Sequence, residues 1–122
     1  MEVSYFLDTY ALVELIKGNK NYLKYIDLNC YTSILNLYEL YFRLLREFGK
    51  ESAEKYFMLF LPLKIEIKDE YIPEASNFKL KFDKRNISYV DALGYTMAIE
   101  NKSKFVTADK EFKDMDNVEF VT

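Results

Sequence analysis

Residues 3–18 have the sequence VSYFLDTYALVELIKG, and this stretch decides the class of fold. Its first five residues favour a β-strand, which stops at Asp8. Apolar side chains then recur at helical spacing over residues 10–16, and Gly18 is typical of the end of a helix. The stretch therefore predicts a strand, a turn and a helix, with Asp8 placed where the strand ends.

Strands and helices continue to alternate along the rest of the 122 residues. We predict further strands at residues 30–32, 63–67, 105–107 and 118–121. We predict helices at residues 22–28, 34–48, 52–61, 75–82 and 88–101, with a helical turn near Lys110. This alternation predicts an α/β fold with a parallel sheet and helices on both faces, and the length fits a single domain over residues 1–122.

The residue types that are missing exclude several kinds of site. The chain has no histidine and one cysteine, Cys30, so Ser-His-Asp and Cys-His catalysis are excluded and zinc or copper is disfavoured. One cysteine cannot form an intramolecular disulfide, and residues 1–8 do not resemble a secretory leader, so we expect a cytoplasmic protein. Charged residues interrupt the most apolar stretch, residues 34–45, so we expect no membrane anchor.

Four carboxylates lie where an apolar strand ends or where an apolar helix begins or passes: Asp8, Glu39, Asp91 and Asp109. Carboxylates beside buried segments lose hydration and repel one another, so several in one place need a cation to offset the cost. Asp8 and Asp109 each follow a strand, and ligands gather at the carboxyl ends of parallel strands. Oxygen ligands suit Mg²⁺ or Mn²⁺ and do not distinguish between them. We therefore predict a site for one of these ions.

Three of the carboxylates also have a local structural explanation. Asp8 could simply cap the helix that follows it, and Asp109 could cap the turn near Lys110. Asp91 lies three residues after Ser88, which is the spacing of a capping box. None of the three identifies a site when it is taken alone.

Glu39 differs because its helix is otherwise largely apolar. It shares a polar stripe with Asn36, Arg43 and Arg46, spaced like neighbours on one helix face. Such a stripe could face water or could form the wall of a cleft. Each of the four carboxylates is thus ambiguous, whereas the set of four indicates a site.

The segments that carry these carboxylates resemble the PIN-domain family and, within it, the VapC-type toxins of prokaryotic toxin-antitoxin pairs. They are FLDT at residues 6–9, SILNLYEL at residues 33–40, VDAL at residues 90–93 and FVTADKEF at residues 105–112. The resemblance spans the chain in order and in spacing. It implies a three-layer fold whose central parallel sheet has five strands flanked by helices, which agrees with the five strands predicted above.

The resemblance also implies an activity, the metal-dependent cleavage of RNA, with the acidic positions of the family on Asp8, Glu39, Asp91 and Asp109. Our hypothesis is that Asp8 and Asp109 form the central pair for Mg²⁺ or Mn²⁺. Asp91 would complete the shell directly or through water, and Glu39 would position the attacking water or a second ion. The products would be a 5′-phosphate and a 3′-hydroxyl. The implied partners are a second copy of the chain, in a homodimer, and a small antitoxin protein.

Two details of the resemblance stay open. Thr107 matches a position near the site where relatives commonly carry a hydroxyl side chain. It could orient a carboxylate or water, or it could merely end a strand. Many relatives carry a further Asp shortly before the Phe of the last segment, where this chain has Glu111, with Asp114 and Asp116 beyond it. The complete ligand set is therefore undetermined by the sequence.

Two other functions compete with an RNA nuclease. A phosphoacceptor domain of the receiver type also has a parallel α/β fold and would use Asp69 as its acceptor. That alternative lacks support, because Thr9 stands where a second acid is expected after Asp8 and no lysine follows the last strand. The other alternative is a PIN-like interaction module without catalysis. The intact acidic positions are evidence against it.

Overall fold

The computed structural model describes residues 3–122 and has a parallel sheet at its centre. The strands are β1 (Ser4–Leu7), β2 (Asn29–Tyr31), β3 (Lys104–Thr107) and β4 (Val118–Phe120). Their spatial order is β2-β1-β3-β4, and every pairing is parallel. The predicted α/β class and the parallel sheet are confirmed.

Five α-helices connect these strands within residues 3–122. They are α1 (Thr9–Ile16), α2 (Ile34–Phe48), α3 (Lys50–Phe60), α4 (Tyr71–Lys81) and α5 (Tyr89–Glu100). Short 3₁₀ helices cover Leu23–Asp27, Leu61–Leu63 and Lys110–Phe112. None of the helices in this part of the chain is long and apolar enough to span a membrane.

Helix α2 has the bounds that the sequence predicted. Ser33 caps it by accepting a hydrogen bond from the Asn36 N–H at 3.2 Å, and Gly49 ends it with a φ of 92°. Helix α4 begins earlier than predicted, at Tyr71, because Pro73 fits within a first helical turn, where no N–H is needed.

The fifth strand predicted at residues 63–67 does not form within the described chain. Thr32 and Lys64 make one isolated parallel bridge, with the Ile65 N–H donating to the Thr32 carbonyl at 3.1 Å. Strand β2 is short and Leu63 already belongs to a 3₁₀ helix, so few backbone groups are left to extend the pairing. Ile65 and Ile67 do pack against the core, which accounts for the alternating pattern in the sequence.

Alternate residues of the central strands fill the two faces of the sheet. Phe6 and Phe105 pack on one face in a cluster that includes α4 and α5, while Leu7 and Val106 pack on the other in a cluster that includes α1, α2 and α3. Helix α5 approaches closely at Gly94, where a Cβ atom would lie 2.8 Å from Phe6 Cε1. The layers thereby bring the carboxyl ends of β1 and β3 and the first turn of α5 to one edge of the sheet.

Candidate active site

Asp8 and Asp109 lie at the same edge of the sheet, just beyond the paired strands β1 and β3. The Asp8 N–H continues the pairing by donating to the Val106 carbonyl at 3.3 Å. Asp8 Oδ1 accepts from the Ala11 N–H at 2.8 Å, and Asp109 Oδ1 accepts from the Glu111 N–H at 3.0 Å. Both carboxylates therefore act as helix caps, as their local sequence allowed, and each uses one oxygen for it. Capping leaves the second oxygen of each group for another role.

Asp8 is the most deeply placed of the four acids, with 3% of its surface exposed. Burial is the main reason that its pKa is raised from 3.8 to about 7. Hydrogen bonds from Thr107 and from the Ala11 N–H lower this pKa, whereas the negative charges of Asp91 and Asp109 raise it further. Ionised Asp8 is thus held at a cost that a nearby cation would offset.

Asp91 lies in the first turn of α5, where its N–H donates to the Ser88 hydroxyl at 3.1 Å. Burial raises the pKa of Asp91 to about 6, against the effect of the Ser88 hydrogen bonds, and the charges of Glu39 and Asp109 raise it further. The charges of Asp91 and Asp109 therefore act on the pKa of Asp8, and the charge of Glu39 acts on the pKa of Asp91. The four acids named from the sequence form one electrostatic neighbourhood.

Glu39 faces α1, and the polar stripe of α2 does not simply face water. Asn36, at the start of the stripe, is 1% exposed. The Thr9 hydroxyl donates to Glu39 Oε1 at 2.6 Å. Further along, Arg43 donates to Glu47 at 2.9 Å at the surface. The stripe is thus divided into an inward half beside the acids and an outward half in solvent.

Thr9 and Asn36 support Glu39, a role that the sequence analysis did not assign to either residue. Thr9 hydrogen-bonds to the Glu39 carboxylate, and Asn36 supports Thr9, because its Nδ2 donates to the Thr9 hydroxyl at 3.1 Å. One signal was present in the chain, since Asn36 precedes Glu39 by one helical turn. Its meaning depends on burial, which the spacing does not reveal.

Thr107 is buried between two of the acids. Its hydroxyl oxygen accepts from the Asp109 N–H at 3.0 Å, and the same side chain lowers the pKa of Asp8. Thr107 therefore supports the turn that carries Asp109 and lies beside Asp8.

The other acids near the last segment are placed differently. Arg85 Nη1 donates to the backbone carbonyl of Glu111 at 2.7 Å, which ties the turn that follows Asp109 to the loop between α4 and α5. Asp114 and Asp116 are exposed and line a separate depression together with Arg85 and Tyr95. These two aspartates are not part of the neighbourhood around Asp8.

The donor set can be tested against the metal that the sequence suggested. Within residues 3–122, no three acidic side chains are placed closely enough to coordinate one ion together. Mg²⁺ usually keeps several waters and binds through one or two carboxylates, with substrate phosphates completing its shell. The carboxylate donors and the repulsion around buried Asp8 therefore fit a partly hydrated Mg²⁺ or Mn²⁺ ion, not a closed cage of protein ligands.

Comparison with known proteins provides a family and a fold. The sequence model of the PIN domain matches residues 5–118 of the chain. No curated protein sequence matches the chain.

Solved structures resemble the whole chain at low sequence identity. VapC20 of Mycobacterium tuberculosis, described as a toxin that cleaves the sarcin-ricin loop, has a TM-score of 0.78 at 18% identity, over 97% of this chain and 99% of that one. VapBC2 from Rickettsia felis, bound to a DNA fragment from its promoter, has a TM-score of 0.77 at 22% identity, over 98% of this chain and 100% of that one. A toxin-antitoxin complex from Klebsiella pneumoniae has a TM-score of 0.74 at 14% identity, over 94% of this chain and 95% of that one. At these identities the likeness establishes a shared fold.

Proposed function

The chain belongs to the PIN-domain family, and from this membership and its acidic site we propose that it is a metal-dependent endoribonuclease, the toxin of a toxin-antitoxin pair. The observation that carries the proposal is the electrostatic neighbourhood of the four acids at the carboxyl edge of the sheet, around a nearly inaccessible Asp8. A purely structural cap gains nothing from such burial, because burial and like charges both disfavour its ionised form.

The acids have distinct proposed roles. Asp8 and Asp109 would hold Mg²⁺ or Mn²⁺ as the central pair, and Asp91 would complete the shell through water, because no three acidic side chains within residues 3–122 are placed to coordinate one ion together. Glu39 positions the attacking water or a second ion. When bound, the ion supplies an activated water and stabilises negative charge on the phosphoryl and leaving oxygens. Thr107 orients the turn that carries Asp109 by accepting a hydrogen bond from its N–H.

We expect the purified protein to cleave RNA in Mn²⁺ or Mg²⁺ and to be inactive in EDTA. The products should carry a 5′-phosphate and a 3′-hydroxyl, because the chain has no histidine pair to support the route through a 2′,3′-cyclic phosphate. End-labelled RNA, with the product ends distinguished by kinase and phosphatase treatment, gives both results. Cleavage that persists in EDTA, or cyclic phosphate ends, would contradict the proposal.

The alternative functions gain no support from the structure. Asp69, the acceptor that a receiver domain would need, is exposed in the turn before α4 and follows no strand of the sheet. The receiver interpretation also conflicts with the match to the PIN domain. An interaction module without catalysis is distinguished by the EDTA experiment, since it predicts no cleavage under any condition.

Partners of two kinds belong to the proposal, a second copy of the chain and a small antitoxin. The outer face of α2 carries exposed aromatic side chains, among them Tyr38, which is 71% exposed, and Phe42, and α3 exposes the apolar side chains of Met58 and Leu59. A cavity of about 380 Å³ lies between these helices, lined by Ile34, Tyr38, Tyr41, Glu54 and Phe57. Apolar patches of this kind commonly mark protein interfaces. We place the protein in the cytoplasm, where it would meet both RNA and the antitoxin.

We expect a homodimer in solution, because burial of exposed apolar side chains favours association. Light scattering over a series of protein concentrations measures the mass directly. Coexpression with the product of an adjacent small reading frame should give a complex that no longer cleaves RNA, with an Arg or Lys of the antitoxin placed among the acids. A strictly monomeric protein at high micromolar concentration would contradict the dimer and leave the nuclease proposal standing.

A further inference from the structure

The Glu39 carboxylate is the end of a chain of side-chain hydrogen bonds that begins at the N-cap of α2. Ser33 Oγ donates to Asn36 Oδ1 at 2.6 Å, and Asn36 Nδ2 donates to Thr9 Oγ1 at 3.1 Å. Thr9 Oγ1 then donates to Glu39 Oε1 at 2.6 Å. The chain of bonds crosses from α2 to α1 and returns to α2.

The direction of these bonds is set at the Glu39 end. A carboxylate can only accept, so the single hydrogen of the Thr9 hydroxyl is directed to Glu39 Oε1 at 2.6 Å, and its contact with the Asn36 carbonyl at 3.5 Å is much longer. The Thr9 oxygen must then accept from Asn36 Nδ2, which turns Asn36 Oδ1 toward Ser33. The Ser33 hydroxyl donates to that oxygen and also accepts from the Asn36 N–H at 3.2 Å.

Burial makes the arrangement hard to change. Ser33 and Asn36 are each 1% exposed, so water cannot replace a partner that turns away. A buried polar group without a partner is costly, which favours the single arrangement in which all the bonds are made. Thr9 engages only Oε1 of Glu39, so the second oxygen can act as a ligand or hold a water.

Thr9 also joins Glu39 to the element that carries Asp8. It is the first residue of α1 and follows Asp8 directly in the chain, whereas Glu39 lies on α2. A glutamate side chain has several rotatable bonds and would sample many positions without such a contact. The hydrogen bond therefore sets where the Glu39 carboxylate stands relative to Asp8.

We propose that Thr9, supported by Asn36, is a positioning residue that orients the Glu39 carboxylate and thereby raises the affinity of the site for a divalent ion. The proposal rests on the proposed function, because it assumes that Glu39 serves a metal site. Residues that hydrogen-bond to metal ligands typically change metal affinity by 10- to 100-fold when they are removed. A contact that merely joins α1 to α2 would leave this affinity unchanged.

The test measures the binding of Mn²⁺ alone, by calorimetry or by the loss of the free Mn²⁺ electron paramagnetic resonance signal. Thr9→Val keeps the shape of the side chain and removes the hydroxyl, and it should weaken Mn²⁺ binding about tenfold. Thr9→Ser keeps the hydroxyl and should bind within about twofold of the parent protein by the same reasoning. Melting in EDTA shows whether each variant is folded, and Thr9→Ala replaces Thr9→Val if that variant is not.

A double-mutant cycle with Glu39→Gln separates positioning from a general effect on the fold. If Thr9 acts through Glu39, Thr9→Val should have no further effect on Mn²⁺ binding in the Glu39→Gln background. An equal loss in both backgrounds would overturn the inference, and so would parent-like binding by Thr9→Val; both leave the nuclease proposal intact. A parent protein that binds no Mn²⁺ and cleaves no RNA would overturn the proposed function together with this inference.

Discussion

Asp8→Asn should reduce the rate of RNA cleavage at least about 100-fold while the protein remains folded, since loss of even an outer-shell partner can cost a metal site that much. The substitution replaces one carboxylate oxygen by an amide nitrogen with little change of shape. Asn Oδ1 can still accept the Ala11 N–H, so the cap of α1 can persist. What is lost is the anionic oxygen that would bind the ion. Initial rates in Mn²⁺, with far-ultraviolet circular dichroism on the same samples, measure both effects.

Asp69→Asn is the matched control for this experiment. It makes the same chemical change at an exposed aspartate outside the acidic neighbourhood, and it also removes the acceptor that a receiver domain would need. Its cleavage rate should equal that of the parent protein. Comparable rates for Asp8→Asn and the parent would show that the site has been assigned to the wrong residues.

Asp8→Asn should also stabilise the metal-free protein near neutral and alkaline pH. Raising the pKa of Asp8 from 3.8 to about 7 corresponds to about 4 kcal/mol of folding free energy lost on ionisation. The buried amide must find partners of its own, so we expect a net gain of about 1 to 3 kcal/mol. For a domain of this size, that gain raises the melting temperature in EDTA by about 4 to 12 °C.

The stability difference between Asp8→Asn and the parent protein should depend on pH. Between pH 3.8 and about 7, folded Asp8 binds more protons than unfolded Asp8, so the stability of the parent protein falls as the pH rises through this range. Below the range Asp8 is neutral in both states, and above it the full cost is present. The difference between Asp8→Asn and the parent should therefore be large at about pH 8 and small at about pH 4.

Divalent ions should narrow the difference in stability between Asp8→Asn and the parent protein. With a dissociation constant of about 1 mM, about 10 mM Mg²⁺ would stabilise the parent protein by about 1.4 kcal/mol and should not stabilise Asp8→Asn in this way. Asp69→Asn should follow the parent under every condition. If Asp8 served only as a cap, Asp8→Asn would keep that cap, and Mg²⁺ would have no specific effect on the melting temperature of either protein.

Three acids of the proposed site could be named from the sequence because each stands at a recognisable boundary. Asp8 follows a short apolar strand, Asp91 follows a helix cap and Asp109 follows the strand ending at Thr107. Parallel strands separated by helices bring their carboxyl ends to one edge, so the topology predicted that Asp8 and Asp109 would be neighbours. The bounds of α2 were predictable for the same kind of reason, since Ser33 and Gly49 are strong local signals.

The segment at residues 63–67 shows a feature that local sequence signals could not predict. Its alternation of apolar and charged residues correctly indicated an extended chain with one face on the core. Whether an extended segment becomes a strand depends on the backbone groups of its neighbour, and here the pairing is limited to the bridge between Lys64 and Thr32, which follows β2. That partner is distant in sequence, so the alternation could not reveal its length.

The sequence by itself determined the class of fold and supplied the four acids of the proposed site, because residue types and boundary signals are local properties. Only the tertiary structure decided how those acids differ. Asp8 is buried, Glu39 is held by Thr9 and Asn36, and Asp114 and Asp116 lie in a separate depression. Desolvation and hydrogen-bond direction depend on groups contributed by other elements, and folding brings those groups together from distant parts of the chain.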